Sequence, residues 1–174
     1  MRQFFLLAVM LITLIGAGCK AIDDLLTFYI DEEATIVVDS NFPIGLAPIA
    51  PVSVTTNSQE TFKNNKTQAE LVKDVTLNKL TLSIEEPQGQ NFDFLSKIEI
   101  YIASEGNSEV KIAYLESIPK GVSQITLEST NAQLDKFIKG ESYSIRTKAT
   151  LSKAVTQDVS IQADMRFKIT ADPI

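Results

Sequence analysis

Cys19 is the one cysteine of the chain, and its thiol is the side chain best placed for covalent chemistry. It follows residues 16–18, which are glycine, alanine and glycine, and an apolar run at residues 4–15 that begins after a single cation, Arg2. A positive start, an apolar run and small residues before a cleavage point are typical of a secretory signal peptide. The spacing predicts that residues 1–18 are removed and that Cys19 becomes the first residue.

The segment from Gly16 to Cys19 resembles the lipobox of bacterial lipoproteins. This resemblance implies a diacylglyceryl group on the Cys19 thiol, cleavage before Cys19 and acylation of the new amino group. A lipobox usually carries leucine three residues before the cysteine, where this chain has Gly16, and Ile15 stands one step further out. Two or more acyl chains make a stable anchor where one chain is marginal. The alternatives are an ordinary secretory signal with an incidental cysteine, or a short uncleaved anchor.

The apolar run at residues 4–15 is too short for a permanent transmembrane helix. At a rise of about 1.5 Å per residue it spans roughly 18 Å, whereas the hydrocarbon core measures about 30 Å. Residues 19–26 are then the lipidated cysteine and a tether. Asp23 and Asp24 partly resemble the acidic stretch that directs Bacteroidota-type lipoproteins to the cell surface; a solvated linker is the alternative. We expect a lipid-anchored protein of the cell envelope, at the outer membrane, on its periplasmic or its surface face.

The composition describes one acidic domain without disulfides. Removing residues 1–18 from the 174 leaves 156, enough for one domain with a full hydrophobic core. Loss of Arg2 changes the formal charge from −6 to −7, which disfavours a nucleic-acid partner. Because lipidation of Cys19 would leave no free cysteine, burial of apolar side chains must hold the fold together.

Candidates for catalysis and metal binding are scarce. The chain has no histidine, the commonest general base and metal ligand, and no tryptophan, the strongest aromatic platform for sugars. Ser117 and Lys120 have Ser-x-x-Lys spacing, but Pro119 and Gly121 exclude the helix that this motif needs. The carboxylates at residues 31–33 lack the alternating ligands and the glycine of a calcium loop, and we interpret them as a solvated edge, with one or two strands and an acidic turn or bulge. We therefore expect no enzymatic activity, no cofactor and no metal.

Residues 41–51 combine three prolines with large apolar side chains. Proline has no N–H to donate to a sheet, so this segment is expected to be extended rather than part of a regular ladder. If exposed, its apolar side chains would contact a protein partner, a lipid surface or an apolar ligand; otherwise the segment is a crossover packed against the sheet edge. The candidate contact residues are Phe42, Ile44, Leu46 and Ile49.

Alternating apolar and polar residues predict strands over much of the remaining chain. The clearest alternation lies at residues 159–170, and residues 143–151 form a second half-buried strand, which a turn at residues 152–154 is expected to pair with the first. Residues 92–103 and 109–115 predict a hairpin. These strands are one-sided, which is typical of two sheets packed face to face.

Shorter features interrupt or connect these predicted strands. The apolar phase changes at Asn78 and Lys79, which predicts a β-bulge. Residues 57–66 are polar and read as a loop, and Thr67 and Glu70 have the spacing of a capping box before a short helical turn. Residues 132–139 predict a short helix that ends at Gly140 and plugs one end of the sandwich.

Together these signals predict an all-β fold, an antiparallel β-sandwich that is immunoglobulin-like in the broad sense, with one or two short helices. About seven to nine strands fit into a single domain at residues 27–174. No Cys-Trp-Cys core is present, so a true immunoglobulin domain is not implied.

The runs at residues 75–84 and 94–102, with Ile118 and Pro119, resemble an uncharacterised family of Bacteroidota lipoproteins. The strand organisation is also similar to that of the late-embryogenesis-abundant type 2 sandwich. The shared motifs are patterns of core residues, so the resemblance implies a fold and an envelope location but no activity.

These features favour a non-catalytic binding or accessory module of the envelope. Its partners would be the membrane, through Cys19, and an envelope protein. Tethering raises effective concentration, so even a weak interface suffices. The alternative is a tethered carrier of a small apolar ligand or lipid, for which Tyr29, Phe42, Ile44 and Leu46 are the expected contacts.

Overall fold

The computed structural model describes residues 26–47 and 49–174; the predicted signal, Cys19 and most of the predicted tether lie outside the described residues. Within these ranges the chain forms ten strands, two α-helices and two 3-10 helices. The strands are β1 (Thr27–Val38), β2 (Gly45–Ala47), β3 (Val52–Thr55), β4 (Val72–Glu86), β5 (Leu95–Ser104), β6 (Asn107–Leu115), β7 (Gln124–Thr126), β8 (Glu128–Ser129), β9 (Ser142–Leu151) and β10 (Val159–Ala171). The helices are α1 (Ser58–Asn64) and α2 (Asp135–Ile138), and the 3-10 helices are Ala69–Leu71 and Phe92–Phe94. No helix among the described residues has the length and apolar character to cross a membrane.

Two antiparallel sheets enclose the core. The four-stranded sheet has the order β1-β10-β4-β7, and the other sheet has the order β2-β9-β5-β6-β8, with β3 also paired to β9. Every pairing is antiparallel. This architecture confirms the predicted all-β sandwich.

The core follows from one-sided strands. Every second residue of β10, from Val159 to Ala171, is buried, and β1 and β9 show the same alternation. The inner faces meet where the Phe167 ring of β10 lies edge-on to the Tyr143 ring of β9, with 6.2 Å between the ring centres. Because the side-chain period of a strand is two residues, alternation in sequence becomes separation of the core from solvent.

Three local predictions are confirmed. Lys79 pairs with Arg166 and Leu77 pairs with Phe167, so Asn78 is the extra residue of a bulge in β4. Strands β5 and β6 form the expected hairpin. Helix α2 is shorter than predicted, but its apolar side chains are fully buried, and the Leu134 N–H before it bonds to the Val75 carbonyl at 2.8 Å.

The predicted pairing of the last two strands is wrong. Strand β9 belongs to the six-stranded sheet and β10 to the four-stranded sheet, so residues 152–158 cross from one sheet to the other. The N–H of Ser152 bonds to the Phe94 carbonyl at 2.7 Å, which directs the chain away from β9. Alternation reports that a strand has one buried face but does not identify its neighbour.

Two shorter segments also differ from expectation. The predicted loop at residues 57–66 contains α1, whose Phe62 is completely buried. No capping box forms, since the Thr67 hydroxyl donates instead to the Asp172 carbonyl at 2.7 Å. At residues 31–33 the single-strand alternative is confirmed without a turn or bulge, because each of these residues of β1 has a partner on β10.

Candidate functional site

Residues 41–51 form the edge of the six-stranded sheet. Strand β2 pairs with the end of β9 through Ala47 and Ala149, and β3 pairs with its beginning through Val52 and Ile145. Residues 49–51, between these two short ladders, lie near residues 146–148 of β9 and are not paired with them. The interruption leaves a groove between β2 and β3.

The four predicted contact residues divide into two pairs. Ile49 is only 6% exposed, and Phe42 is partly buried against the core. Ile44 and Leu46 are 65% and 71% exposed. Ile49 and most of Phe42 thus fit the alternative expectation, a segment packed against the sandwich edge, whereas Ile44 and Leu46 fit the exposed one. Two exposed apolar side chains remain.

The groove between β2 and β3 has a volume of about 560 Å³. Its apolar side is built from the β2 end and the connection to β3, and its polar side from the middle of β9. The lining residues are Pro43, Leu46, Ala47, Ile49, Ala50, Pro51, Arg146, Thr147 and Lys148. Ile44 lies two residues before Leu46 and extends the exposed apolar surface beyond the groove.

Two cations stand along the polar side of the groove, held by one carboxylate. Glu109 of β6 accepts from Arg146 Nε at 3.1 Å and from Lys148 Nζ at 3.2 Å. The hydrogen bond to Glu109 raises the pKa of Lys148. Two cations and one carboxylate leave one net positive charge on this wall, although the chain as a whole is acidic.

The outer face behind the groove is also ordered by ion pairs. Glu99 accepts from Lys111 at 2.9 Å and from the Tyr101 hydroxyl at 3.2 Å, and Lys97 lies 3.4 Å from the same carboxylate. The hydrogen bond from Lys111 is the main reason that the pKa of Glu99 is lowered. The polar side of the groove is thus continuous with an outer face whose charged side chains are held in place by ion pairs.

The acidic segment at residues 31–33 lies on β1, an edge strand of the four-stranded sheet, and Asp31 and Glu33 are exposed there, as expected for a solvated edge. Asp31 binds Arg166 through both carboxylate oxygens, at 2.7 and 3.0 Å, and Glu33 accepts from Gln162 at 3.0 Å. Glu32 points inward and is 9% exposed, and its burial raises the pKa of its carboxyl group. Among the described residues, no three or more His, Cys, Asp or Glu side chains are grouped so that they could hold a metal ion.

Two other sequence candidates lie apart from the groove. Tyr29 is on the outer face of β1, in the other sheet, where its ring lies 5.7 Å from the Arg166 guanidinium carbon. It does not join Leu46 in one site. Ser117 and Lys120 are both exposed in the connection after β6, which contains no helix.

Sequence reasoning missed the basic wall of the groove. Arg146 and Lys148 alternate with buried residues along β9, so their outward orientation was visible in the sequence. Their position opposite residues 49–51 was not, because it depends on the pairing of β9 with both β2 and β3. Two outward cations on a strand are by themselves an ordinary solvated face.

No protein-family model matches the chain, and a search of the curated proteins finds no match. The functional interpretation of the groove therefore depends on its geometry and chemistry.

Proposed function

We propose that this chain is a lipid-anchored envelope protein whose sandwich is a non-catalytic binding module, with the groove between β2 and β3 receiving an apolar segment of another envelope protein. The observation that carries the proposal is Leu46, 71% exposed on the rim of an apolar groove. A groove beside exposed apolar side chains is a common form of interaction site. On this proposal the chain belongs with the Bacteroidota lipoproteins that its sequence resembles.

The charge of the groove wall favours an acidic partner segment. Arg146 and Lys148 outnumber Glu109, so an incoming carboxylate would find a net positive surface beside the apolar rim. Complementary charges increase association rates and set the orientation of a partner more than they increase affinity. The expected segment thus places apolar side chains against Leu46 and a carboxylate beside the two cations.

Side chains rather than backbone ladders are expected to make the contact. Pro43 and Pro51 line the groove, and neither has an N–H for an added strand. Prolines on an edge are one way in which proteins prevent another strand from pairing with it. A partner that adds a long strand to this edge is therefore disfavoured.

The distance of the groove from the lipid anchor favours a protein partner over the anchoring bilayer. Thr27 follows Cys19 by eight residues, a tether that reaches at most about 28 Å. From Thr27 to Val38, β1 extends about 37 Å before the chain turns into residues 41–51. With β1 directed away from the bilayer, the groove stands clear of the lipid and is accessible to proteins.

The carrier of a small apolar ligand or lipid is the second candidate. Its support is the size of the groove, about 560 Å³, which lies within the usual range of roughly 300–1,000 Å³ for ligand pockets. Such pockets generally enclose most of their ligand. This groove is open along the sheet edge, which favours a protein segment.

The test is a pull-down of the full-length protein from its own membranes in a gentle detergent, followed by mass spectrometry of co-purifying proteins and extracted lipids. Two variants address the two parts of the proposal: Cys19→Ser removes the lipid site, and Leu46→Asp places a charge on the groove rim. Val37→Asp is the matched control, because Val37 is 49% exposed but lies on β1 of the other sheet.

We expect one stoichiometric protein with the wild-type chain and with Val37→Asp, and its loss with Leu46→Asp. Loss with Cys19→Ser would show that tethering contributes to the association. Retention of the partner by Leu46→Asp would refute the groove as the contact. Co-purification of a lipid in place of a protein, dependent on Leu46, would favour the carrier.

A further inference from the structure

A second concave surface lies on the outer face of the four-stranded sheet, away from the groove. It is a depression of about 470 Å³. Its lining includes Asp31, Glu33, Lys79, Thr81, Asp164 and Arg166. Strand register places them in two neighbouring rows, with Asp164 opposite Thr81 and Arg166 opposite Lys79.

Thr81 forms the floor of this outer-face depression. Its neighbours Leu80 and Leu82 are fully buried in the core, so the Thr81 side chain is directed to the outer face. It is nevertheless only 7% exposed, and its hydroxyl has no hydrogen-bond partner. A ligand group that reaches this floor would supply the missing hydrogen bond, and because the hydroxyl oxygen itself is covered, the side chains around it must shift for the contact to form.

One planar pair on the rim is already preorganised. The Arg166 guanidinium and the Asp31 carboxylate form two hydrogen bonds, at 2.7 and 3.0 Å. Such a bidentate pair is geometrically defined and still leaves outward lone pairs and N–H groups. Tyr29 is not part of the lining, but it lies beside Arg166, is 48% exposed and presents an aromatic ring next to this rim.

The two other charged groups of the argument have no side-chain partners. Neither Lys79 nor Asp164 forms an ion pair or a side-chain hydrogen bond with any described residue. They lie on adjacent strands, in adjacent rows of the register. The depression therefore offers an unused donor and an unused acceptor close to an unsatisfied hydroxyl.

We propose that the outer-face depression binds a neutral, polyhydroxylated ligand, that is, a saccharide unit. Neighbouring sugar hydroxyls can donate to a carboxylate and accept from an ammonium at the same time, as the free Asp164 and Lys79 require. The C–H face of a sugar can lie against the Tyr29 ring, whose apolar body is exposed.

The charge balance of the depression fits a neutral ligand. Among the outward-facing side chains, Asp31, Glu33 and Asp164 lie beside Lys79 and Arg166, which leaves one net negative charge; Glu32 also lines the depression, but its side chain is directed to the core. An anion would be repelled by the three carboxylates, and a cation would meet the two basic groups. This site is independent of the groove between β2 and β3, because it lies on the other sheet.

The test is isothermal titration of the full-length protein, in a detergent without a sugar headgroup, with glucose, N-acetylglucosamine and cellobiose as probes. Glycine betaine is the zwitterionic probe. Asp164→Asn and Thr81→Val remove one acceptor and the floor hydroxyl, and thermal unfolding confirms that each variant is folded. Thr126→Val is the matched control, since Thr126 is the exposed cross-strand neighbour of Thr81 outside the depression.

We expect at least one saccharide to bind, with affinity reduced about tenfold by Asp164→Asn and about fivefold by Thr81→Val, and unchanged by Thr126→Val. Saturation by none of the three saccharides would overturn the proposal. So would saccharide binding that Asp164→Asn leaves intact, or binding of glycine betaine alone. Because the groove is untouched by these variants, none of these outcomes bears on the protein partner.

Discussion

The Lys148 ammonium lies 3.9 Å from the centre of the Tyr101 ring and 3.2 Å from a carboxylate oxygen of Glu109. Three strands of one sheet meet in this contact, since Lys148 is on β9, Tyr101 on β5 and Glu109 on β6. The ring supports the cation from one side while the carboxylate holds it from another. Lys148 is therefore a fixed part of the groove wall rather than a freely moving surface lysine.

Neutralising Glu109 is expected to strengthen the proposed association. Glu109→Gln raises the net charge beside the groove from one positive charge to two, which favours an acidic partner segment. The cost in folding stability is small, about 0–1 kcal/mol, because these ion pairs are partly exposed. Partner affinity measured at low and high salt tests this: the gain should be larger at low salt. Glu85→Gln, an exposed carboxylate elsewhere, makes the same change in total charge and should have no such effect.

Alanine substitutions should separate the buried and exposed halves of residues 41–51. Ile49→Ala removes a side chain that is 6% exposed and should lower the free energy of unfolding by about 2–5 kcal/mol. Leu46→Ala removes one that is 71% exposed and should change it by less than about 0.5 kcal/mol. Urea unfolding followed by circular dichroism measures both. Equal effects of the two substitutions on the free energy of unfolding would contradict the division into a buried Ile49 and an exposed Leu46.

Phe62 should be the residue that holds helix α1 on the sandwich. Its side chain is completely buried, and its ring lies edge-on to Phe28 of β1, with 6.2 Å between centres. Phe62→Ala should cost about 3–5 kcal/mol in unfolding experiments. Lys63→Ala, on the exposed side of the same helix, is the control and should be nearly neutral. A small loss for Phe62→Ala would mean that α1 contributes little to the fold.

The sandwich could be predicted because its evidence is local. In β10 and in the β5–β6 hairpin, polar and apolar residues alternate within one segment, and the bulge at Asn78 appears as a change of phase. Helix α1 could not be recognised in this way. Phe62 is the only large apolar residue between residues 57 and 66, so no helical period is visible, and the burial of its ring depends on Phe28, far away in sequence.

The groove and its basic wall depend on contacts between distant segments. The sequence identifies Leu46 and Ile49 equally as apolar residues of a proline-rich segment, but only the pairing of β2 with β9 decides which of them is covered. In the same way, Thr81 is an ordinary strand threonine until the neighbouring strands enclose its hydroxyl. The alternation of polar and apolar residues predicts which face of a strand is buried. The composition of a site depends in addition on how neighbouring strands are paired and in which register.

Glu32 should make stability depend on pH in the opposite direction to the paired carboxylates. It lies on the inner side of β1, and burial raises the pKa of its carboxyl group more than the nearby Asn57 backbone N–H lowers it. Burial and the Glu32 charge together raise the pKa of Tyr143, whose hydroxyl has no hydrogen-bond partner. The folded protein therefore holds the Glu32 proton more tightly than the unfolded chain does.

The sign follows from this difference in proton affinity. The contribution of Glu32 is fully favourable below its ordinary pKa of 4.5 and is lost as the pH rises through the higher folded value. At neutral pH the ionised carboxylate is partly desolvated and lowers stability. Glu32→Gln should then stabilise the protein at pH 7, by on the order of 1 kcal/mol, and should lose that advantage near pH 4.

Urea unfolding of the wild type and of Glu32→Gln across this pH range isolates the effect of one group. Asp31 and Glu99, whose pKa values are lowered by Arg166 and Lys111, weaken both proteins as the pH falls, so only the difference between the two curves is informative. Glu33→Gln removes the same charge from the exposed side of β1 and is the matched control. If Glu32→Gln were destabilising at pH 7, the surroundings would instead stabilise the ionised carboxylate. The Tyr143 hydroxyl would then be the candidate hydrogen-bond donor to Glu32.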